Sequence, residues 1–222
     1  MTLARWATFD CYGTLIDWNS GIRAELGRLF GAEAAPRLLK RYHELEPRLQ
    51  REHQGRTYRE VLTLALEQLA AEENVELPEQ DREALADSLP RWQPFPEVPP
   101  ALDETRRRGW KLAILSNTDP DLLAASRARL GVPFETSVVA SEIGSYKPAH
   151  AHWERFAAET GAAKERWIHV AQSHFHDVAP ATELGLRSVW INRLGERGEP
   201  PPTRELPDLR RLADTLDALV PV

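Results

Sequence analysis

An aspartate stands at residue 10, directly after the apolar, β-prone run Trp6-Ala7-Thr8-Phe9 and ahead of Cys11-Tyr12-Gly13-Thr14-Leu15. A carboxylate at the tip of a buried strand, beside a glycine turn, sits where open α/β sheets place their chemistry. Three more polar positions follow apolar runs farther along: Ser116-Asn117, Lys147 and Asp177. An ammonium within several ångströms favours an ionised carboxylate, so Lys147 is expected to lower the pKa of Asp10 and keep it an anion ready to attack. Two residues after Asp10 there is no second carboxylate; Tyr12 stands there instead.

The elements that must hold these residues follow from periodicity. From about Asn19 to Arg91 apolar residues recur at helical spacing, as in Leu38, Leu39, Tyr42, Leu45 and Leu49. Pro36 suits a helix start, and Thr57 before Glu60 resembles a capping box. The proline-rich stretch 90–100 reads as a rigid return linker, because proline can neither donate a backbone hydrogen bond nor leave its fixed φ. Beyond it helix and strand alternate. Strands are predicted at 110–115, 136–140, 167–171 and 187–191, and helices near 101–108, 120–130, 149–160, 177–184 and 208–219. Residues 195–202, rich in Pro, Gly and Glu, read as a loop. Alternation of this kind implies right-handed crossovers and a parallel sheet covered on both faces. The expected fold is α/β, a doubly wound parallel sheet with an inserted helical cap. Its core domain comprises residues 1–16 and 95–222, and its cap residues 17–94. In such a sheet the four strand ends converge in a crevice that the cap can close.

Composition narrows the function classes. The chain has 222 residues, 42% hydrophobic and 28% charged, with a net charge of −6, which argues against nucleic acid or an anionic membrane as the main partner. One cysteine forbids an internal disulfide, and Cys11 points to the face opposite Asp10 as a packing residue. No apolar run approaches the roughly 18 residues of a membrane span, and no signal peptide is visible, so a cytoplasmic location is expected. His174, His176 and Asp177 lack further ligands to support a metal site.

Asp10 to Leu15 (Asp-x-x-Gly-Thr-Leu), the strand ending in Ser116-Asn117, Lys147-Pro148 and the late Asp177 together resemble the haloacid dehalogenase superfamily over essentially the whole chain. Most members are magnesium-dependent phosphotransferases whose motif is Asp-x-Asp, with the second Asp protonating the leaving oxygen. Tyr12 at that position, and Gln172-Ser173 where phosphatases often carry acids, make the chain look instead like the 2-haloacid dehalogenase branch. That chemistry needs neither acid nor metal, because halide leaves as a stable anion, and no cofactor is expected.

The resemblance implies the following roles. Asp10 displaces halide from a short 2-haloacid, and water hydrolyses the aspartyl ester. Thr14 and Lys147 orient Asp10, Ser116 binds the substrate carboxylate, and Asn117 and Arg41 face the leaving halide. Asp177 pairs with Lys147 and places the water. Arg41 is assigned from an Arg-x-x-x-Leu-Glu context completed by Leu45 and Glu46, with Arg48, Arg51 and Arg56 as alternatives. Tyr12, Gln172 and His174 are expected at the substrate, and Trp18 and Trp153 are candidates for the pocket wall. Gln172-Ser173-His174 departs from the Ser-Ser-Asn of that branch, and Trp153 replaces its Tyr, so a different small substrate stays open, such as azetidine-2-carboxylate. A magnesium-dependent phosphatase and a fold that has lost catalysis are the alternatives. A small-molecule substrate is the expected partner, and a homodimer is a family-level expectation.

Overall fold

The computed structural model describes residues 4–222, so residues 1–3 of the expected core domain lie outside it. Strand β1 (Arg5–Phe9) is followed by four helices: α1 (Trp18–Phe30), α2 (Ala35–Glu52), α3 (Tyr58–Glu72) and α4 (Ala84–Ser88). The chain then alternates through α5 (Val98–Arg107), β2 (Trp110–Ser116), α6 (Pro120–Leu130), β3 (Thr136–Val139), α7 (Ala140–Ile143) and α8 (Ala151–Thr160). It ends with β4 (Trp167–Ala171), α9 (Ala179–Glu183), β5 (Arg187–Ile191), β6 (Arg204–Leu206) and α10 (Leu212–Leu219).

All six strands are parallel, in the order β3-β2-β1-β4-β5-β6. The chain winds outward from β1 to β3 and then returns to place β4 on the other side of β1. The C-terminal tips of β1 and β4 therefore flank the switch point where such sheets hold ligands. β1 and β4 are buried along their whole length, as strands covered on both faces must be. Ala7 and Phe9 join the core that runs up into the helical insertion, whereas Trp6 packs with Trp153, Phe156 and Trp167 on the other face.

The insertion meets the core where two segments cross side by side. Ile16 bridges Pro94 in antiparallel sense, Asp17 N donates to Gln93 O at 2.9 Å, and Phe95 N donates to Leu15 O at 3.1 Å. Arg193 clamps this crossing. Its guanidinium lies 3.6 Å from the centre of the Phe95 ring, pairs with Glu97 at 2.7 Å and donates to Thr14 O at 3.0 Å.

Three local features were not read from the sequence. α5 begins at Val98, inside the proline-rich segment, because prolines at the first turn lose no intrahelical bond. Pro47 sits within α2, where its missing N–H leaves the His43 carbonyl unpaired in the helical ladder. The edge strand β6 follows the predicted loop and has only three residues, too few for a visible alternation.

Candidate active site

Asp10 follows the last residue of β1, and its N–H still pairs with Val170 O of β4 at 3.1 Å. The chain then turns through Gly13, whose φ is +89°; a Cβ there would lie 3.0 Å from Gln172 Oε1 and 3.1 Å from Trp18 Nε1. The positive φ favours glycine, and a side chain there would crowd Gln172 and Trp18. The turn folds Thr14 back, so that its Oγ1 donates to Asp10 Oδ2 at 2.7 Å and accepts from the Gln172 N–H at 2.8 Å.

Lys147 supplies the other half of the grip. Its buried ammonium donates to Asp10 Oδ1 at 2.9 Å, Asp177 Oδ1 at 2.7 Å and Leu115 O at 2.9 Å, which uses all of its protons. The backbone carrying it is pinned by Asn117, which accepts from Lys147 N at 2.7 Å and donates to Lys147 O at 3.0 Å. Under Asp177 runs a chain with one consistent polarity. Trp167 Nε1–H donates to Thr8 Oγ1 at 2.8 Å, leaving the Thr8 hydroxyl to donate to His169 Nδ1 at 2.9 Å. His169 is therefore protonated at Nε2, which donates to Asp177 Oδ1 at 2.9 Å.

These partners set the charges. Burial opposes ionisation of Asp177, but Lys147 and the His169 hydrogen bond outweigh it and hold the carboxyl at about 2. For Asp10 the balance reverses. Burial and the Asp177 charge exceed the pull of Lys147 and Thr14, so its pKa lies above the ordinary carboxylate value. The expected lowering by Lys147 does operate, yet one ammonium shared between two buried carboxylates cannot cancel the desolvation of both. Lys147, although buried, is raised by the same two anions.

Above Asp10 lies a cavity of about 470 Å³. Asp10, Tyr12, Ser116, Asn117, Lys147, Gln172, His174 and Asp177 all reach its wall. The Ser116 hydroxyl and the second oxygen of Asp177 are buried without a hydrogen-bond partner. Tyr12 OH meets Ser126 Oγ at 3.1 Å, and its ring stacks on Tyr58 with centroids 6.2 Å apart. His174 is held by Pro200 O at 2.9 Å and by the Trp190 ring at 5.1 Å, while Gly198 leaves the room its imidazole occupies. Trp18 lines the cavity as anticipated, stacked on His43 with centroids 5.2 Å apart.

The haloacid dehalogenase-like hydrolase family matches residues 4–185. The chain belongs to that family. It is 32% identical over 213 residues to an (S)-2-haloacid dehalogenase of Pseudomonas sp. (strain YL), with 90% of each chain covered. Its fold superposes on the crystal structure of the L-2-haloacid dehalogenase RSc1362 with a TM-score of 0.88 at 25% identity, covering 97% of this chain and 100% of that one. A phosphoserine phosphatase of Thermus thermophilus is 35% identical over 147 residues, covering 64% of this chain and 57% of the relative. The superfamily read from Asp10–Leu15, Ser116-Asn117, Lys147 and Asp177, and the relation to the 2-haloacid dehalogenase branch read from Tyr12 and Gln172-Ser173, are thereby established.

Two positions carried over from the family do not reach the cavity. Arg41 projects from the outer face of α2, where it pairs with Glu72 and Glu44 at 2.8 Å each. The reason is helical phase. Leu38, Tyr42, Leu45, Glu46 and Leu49 form the buried stripe, and Arg37, Arg41, Glu44 and Arg48 form the opposite one. Arg48, Arg51 and Arg56 do not line the cavity either. Trp153 is buried behind the sheet, its ring 5.2 Å from that of His169, and packs rather than lines.

The cavity also contains residues the motifs did not single out as participants: His43, Glu46, Tyr58 and Arg197. Glu46 carried a signal, since an acidic residue inside an apolar stripe is rare without a role. Tyr58 is positioned by an interaction invisible to local patterns. The Asp119 carboxylate accepts from Tyr58 N at 2.8 Å and Arg59 N at 2.9 Å, capping α3 from the core.

Proposed function

We propose that this hydrolase removes halide from short 2-haloacids without a metal, through an aspartyl ester on Asp10. One Asp10 oxygen attacks C2 from behind, the C2–halogen bond breaks, and the halide departs with the bonding pair. Water then adds to the Asp10 carbonyl carbon, and the Cγ–O bond to the former substrate breaks. The 2-hydroxy acid leaves with an oxygen that began on Asp10.

The observation that carries this reading is the setting of Asp10: an oriented carboxylate with no acid at its side. Thr14 and Lys147 aim its two oxygens, and Tyr12, at the position of the phosphatase acid, commits its hydroxyl to Ser126. These residues do not fit Mg²⁺, which demands several hard oxygen ligands around the nucleophile. The carboxylates Asp10 and Asp177 instead share one ammonium, and the next loop offers Gln172 and Ser173. The unpaired Ser116 hydroxyl is suited to the substrate carboxylate, and the free oxygen of Asp177 to the hydrolytic water. At about 2, Asp177 is a weak base, so its part is to orient that water rather than to hold its proton. Residues 17–94 would act as the cap, swinging at the Ile16–Pro94 crossing to admit substrate.

The test is halide release from 2-chloropropionate and chloroacetate in the presence of chelator. Wild type is expected to turn over, Asp10→Asn to release none, and multiple turnovers in ¹⁸O-water to load label into Asp10, read by peptide mass spectrometry. Loss of activity with chelator, or release of phosphate from p-nitrophenyl phosphate only when Mg²⁺ is supplied, would replace this reading with the phosphatase one.

A further inference from the structure

We propose that Glu46, as a neutral carboxylic acid, is the hydrogen-bond donor that receives the departing halide, in the place where a cap arginine was expected. The inference rests on the dehalogenase reading and assigns the leaving-group end of the same cavity. In-line displacement sends the leaving group away from Asp10, toward the helical insertion. That side of the wall is built by Trp18, Asn19, His43, Glu46, Pro47 and Tyr58, which include no arginine or lysine. A halide there must be met by neutral donors, since His43 is pushed below its ordinary value by burial and carries no charge.

Hydrogen-bond polarity decides what Glu46 presents. Lys147 N–H donates to Asn117 Oδ1 at 2.7 Å, and Asn117 Nδ2–H donates to Gln50 Oε1 at 3.1 Å. The Gln50 amide is thereby oriented with its nitrogen toward Glu46, and Nε2–H donates to Glu46 Oε1. Glu46 Oε1 is thus an acceptor, and a proton on this side chain belongs on Oε2. An ionised Glu46 would add a third anion to a buried cavity whose one ammonium is already divided between Asp10 and Asp177. It would also repel both the substrate carboxylate and the halide. Burial, opposed by the Tyr58 hydroxyl and reinforced by the Asp10 charge, pushes the Glu46 carboxyl up to about 8. The O–H donates without transferring its proton: the C2–halogen bond breaks, halide leaves as the anion, and Glu46 stays neutral.

Several groups around Glu46 are shifted away from its range. Tyr42 on its own helix, Tyr58 on α3 and Tyr12 beyond the β1 tip are pushed well above 10 by burial, and Tyr146 is raised in the same way. Lys147 is raised, and Asp177 at about 2 and His176 at about 4 titrate far below. Asp10, His43, His174, Glu196 and Arg197 complete the charged and titratable wall.

Single-turnover halide release from 2-chloropropionate across pH tests the assignment. For wild type the rate is expected to fall tenfold per pH unit above about 8, as the donor ionises. Glu46→Gln keeps an N–H donor that cannot ionise, so its profile is expected to stay flat there, while Glu46→Leu is slower than Glu46→Gln. An alkaline fall that persists in Glu46→Gln, or equal rates for the two variants, overturns the proposal while leaving the dehalogenase reading intact. No halide release by wild type at any pH removes both. Infrared spectroscopy of ¹³C-glutamate-labelled wild type reads Glu46 without a variant that must fold. A protonated carboxyl band is expected that shifts with bromide at neutral pH and titrates away near 8. Absence of such a band overturns the assignment.

Discussion

At the scale of single residues the decisive quantity is how one ammonium is shared. In the proposed reaction Asp10 attacks as an anion, yet burial and Asp177 hold its pKa above the ordinary value. The pH profile of kcat/KM should therefore have an acid limb set by Asp10. Thr14 stabilises the anion through its 2.7 Å hydrogen bond, so Thr14→Val should raise the Asp10 pKa further and move that limb to higher pH. A limb that stays in place would show that Thr14 only packs. That Asp10, Thr14, Lys147 and Asp177 would gather at the strand tips was legible in the sequence because strand, turn and charge are local signals. The support beneath them was not. Thr8 and His169 read as ordinary strand positions until the β1–β4 register sets them side by side.

At the scale of elements, the order of strands and helices was legible because hydrophobic periodicity is local, whereas helical phase relative to the cavity was not. A motif match at Arg41 specified spacing, but its face depends on which stripe α2 buries. Arg41→Ala is accordingly expected to leave halide release within about twofold of wild type and to change stability little, because an exposed ion pair is screened by solvent. A large loss of activity would return Arg41 to the site. The docking of α3 is likewise a tertiary fact. Asp119 precedes α6 and reads as its cap, yet its side chain caps α3 instead, tying the helical insertion to the tip of β2. Asp119→Ala should destabilise the protein by about 0.5–2 kcal/mol in urea unfolding, with a rise in KM as Tyr58 loses its anchor.

At the scale of the whole molecule, the buried network couples stability to pH, and the sign follows from Asp177. Its folded pKa of about 2 lies below the ordinary 3.8, so the folded state binds fewer protons than the unfolded chain. The contribution is fully present above about 4 and is lost as pH falls through 2. It amounts to roughly 2 kcal/mol at 1.36 kcal/mol per unit. Asp10 acts in the opposite sense, because its raised pKa favours the folded state where it is protonated. An Asp10→Asn background removes that opposing contribution and leaves the acid-side loss to be read by urea unfolding at pH 7, 4 and 2. Adding His169→Leu takes away the Nε2–H donor and moves the folded pKa of Asp177 back up. The double variant should be less stable at pH 7 by about 1–3 kcal/mol, the cost of an unmade hydrogen bond to a buried charge. At pH 2, where Asp177 is protonated in the unfolded chain, the gap between the two variants should narrow. An equal gap at every pH would mean that His169 holds the fold by packing against Trp153 alone, and that the chain from Trp167 to Asp177 does not stabilise the charge at its end.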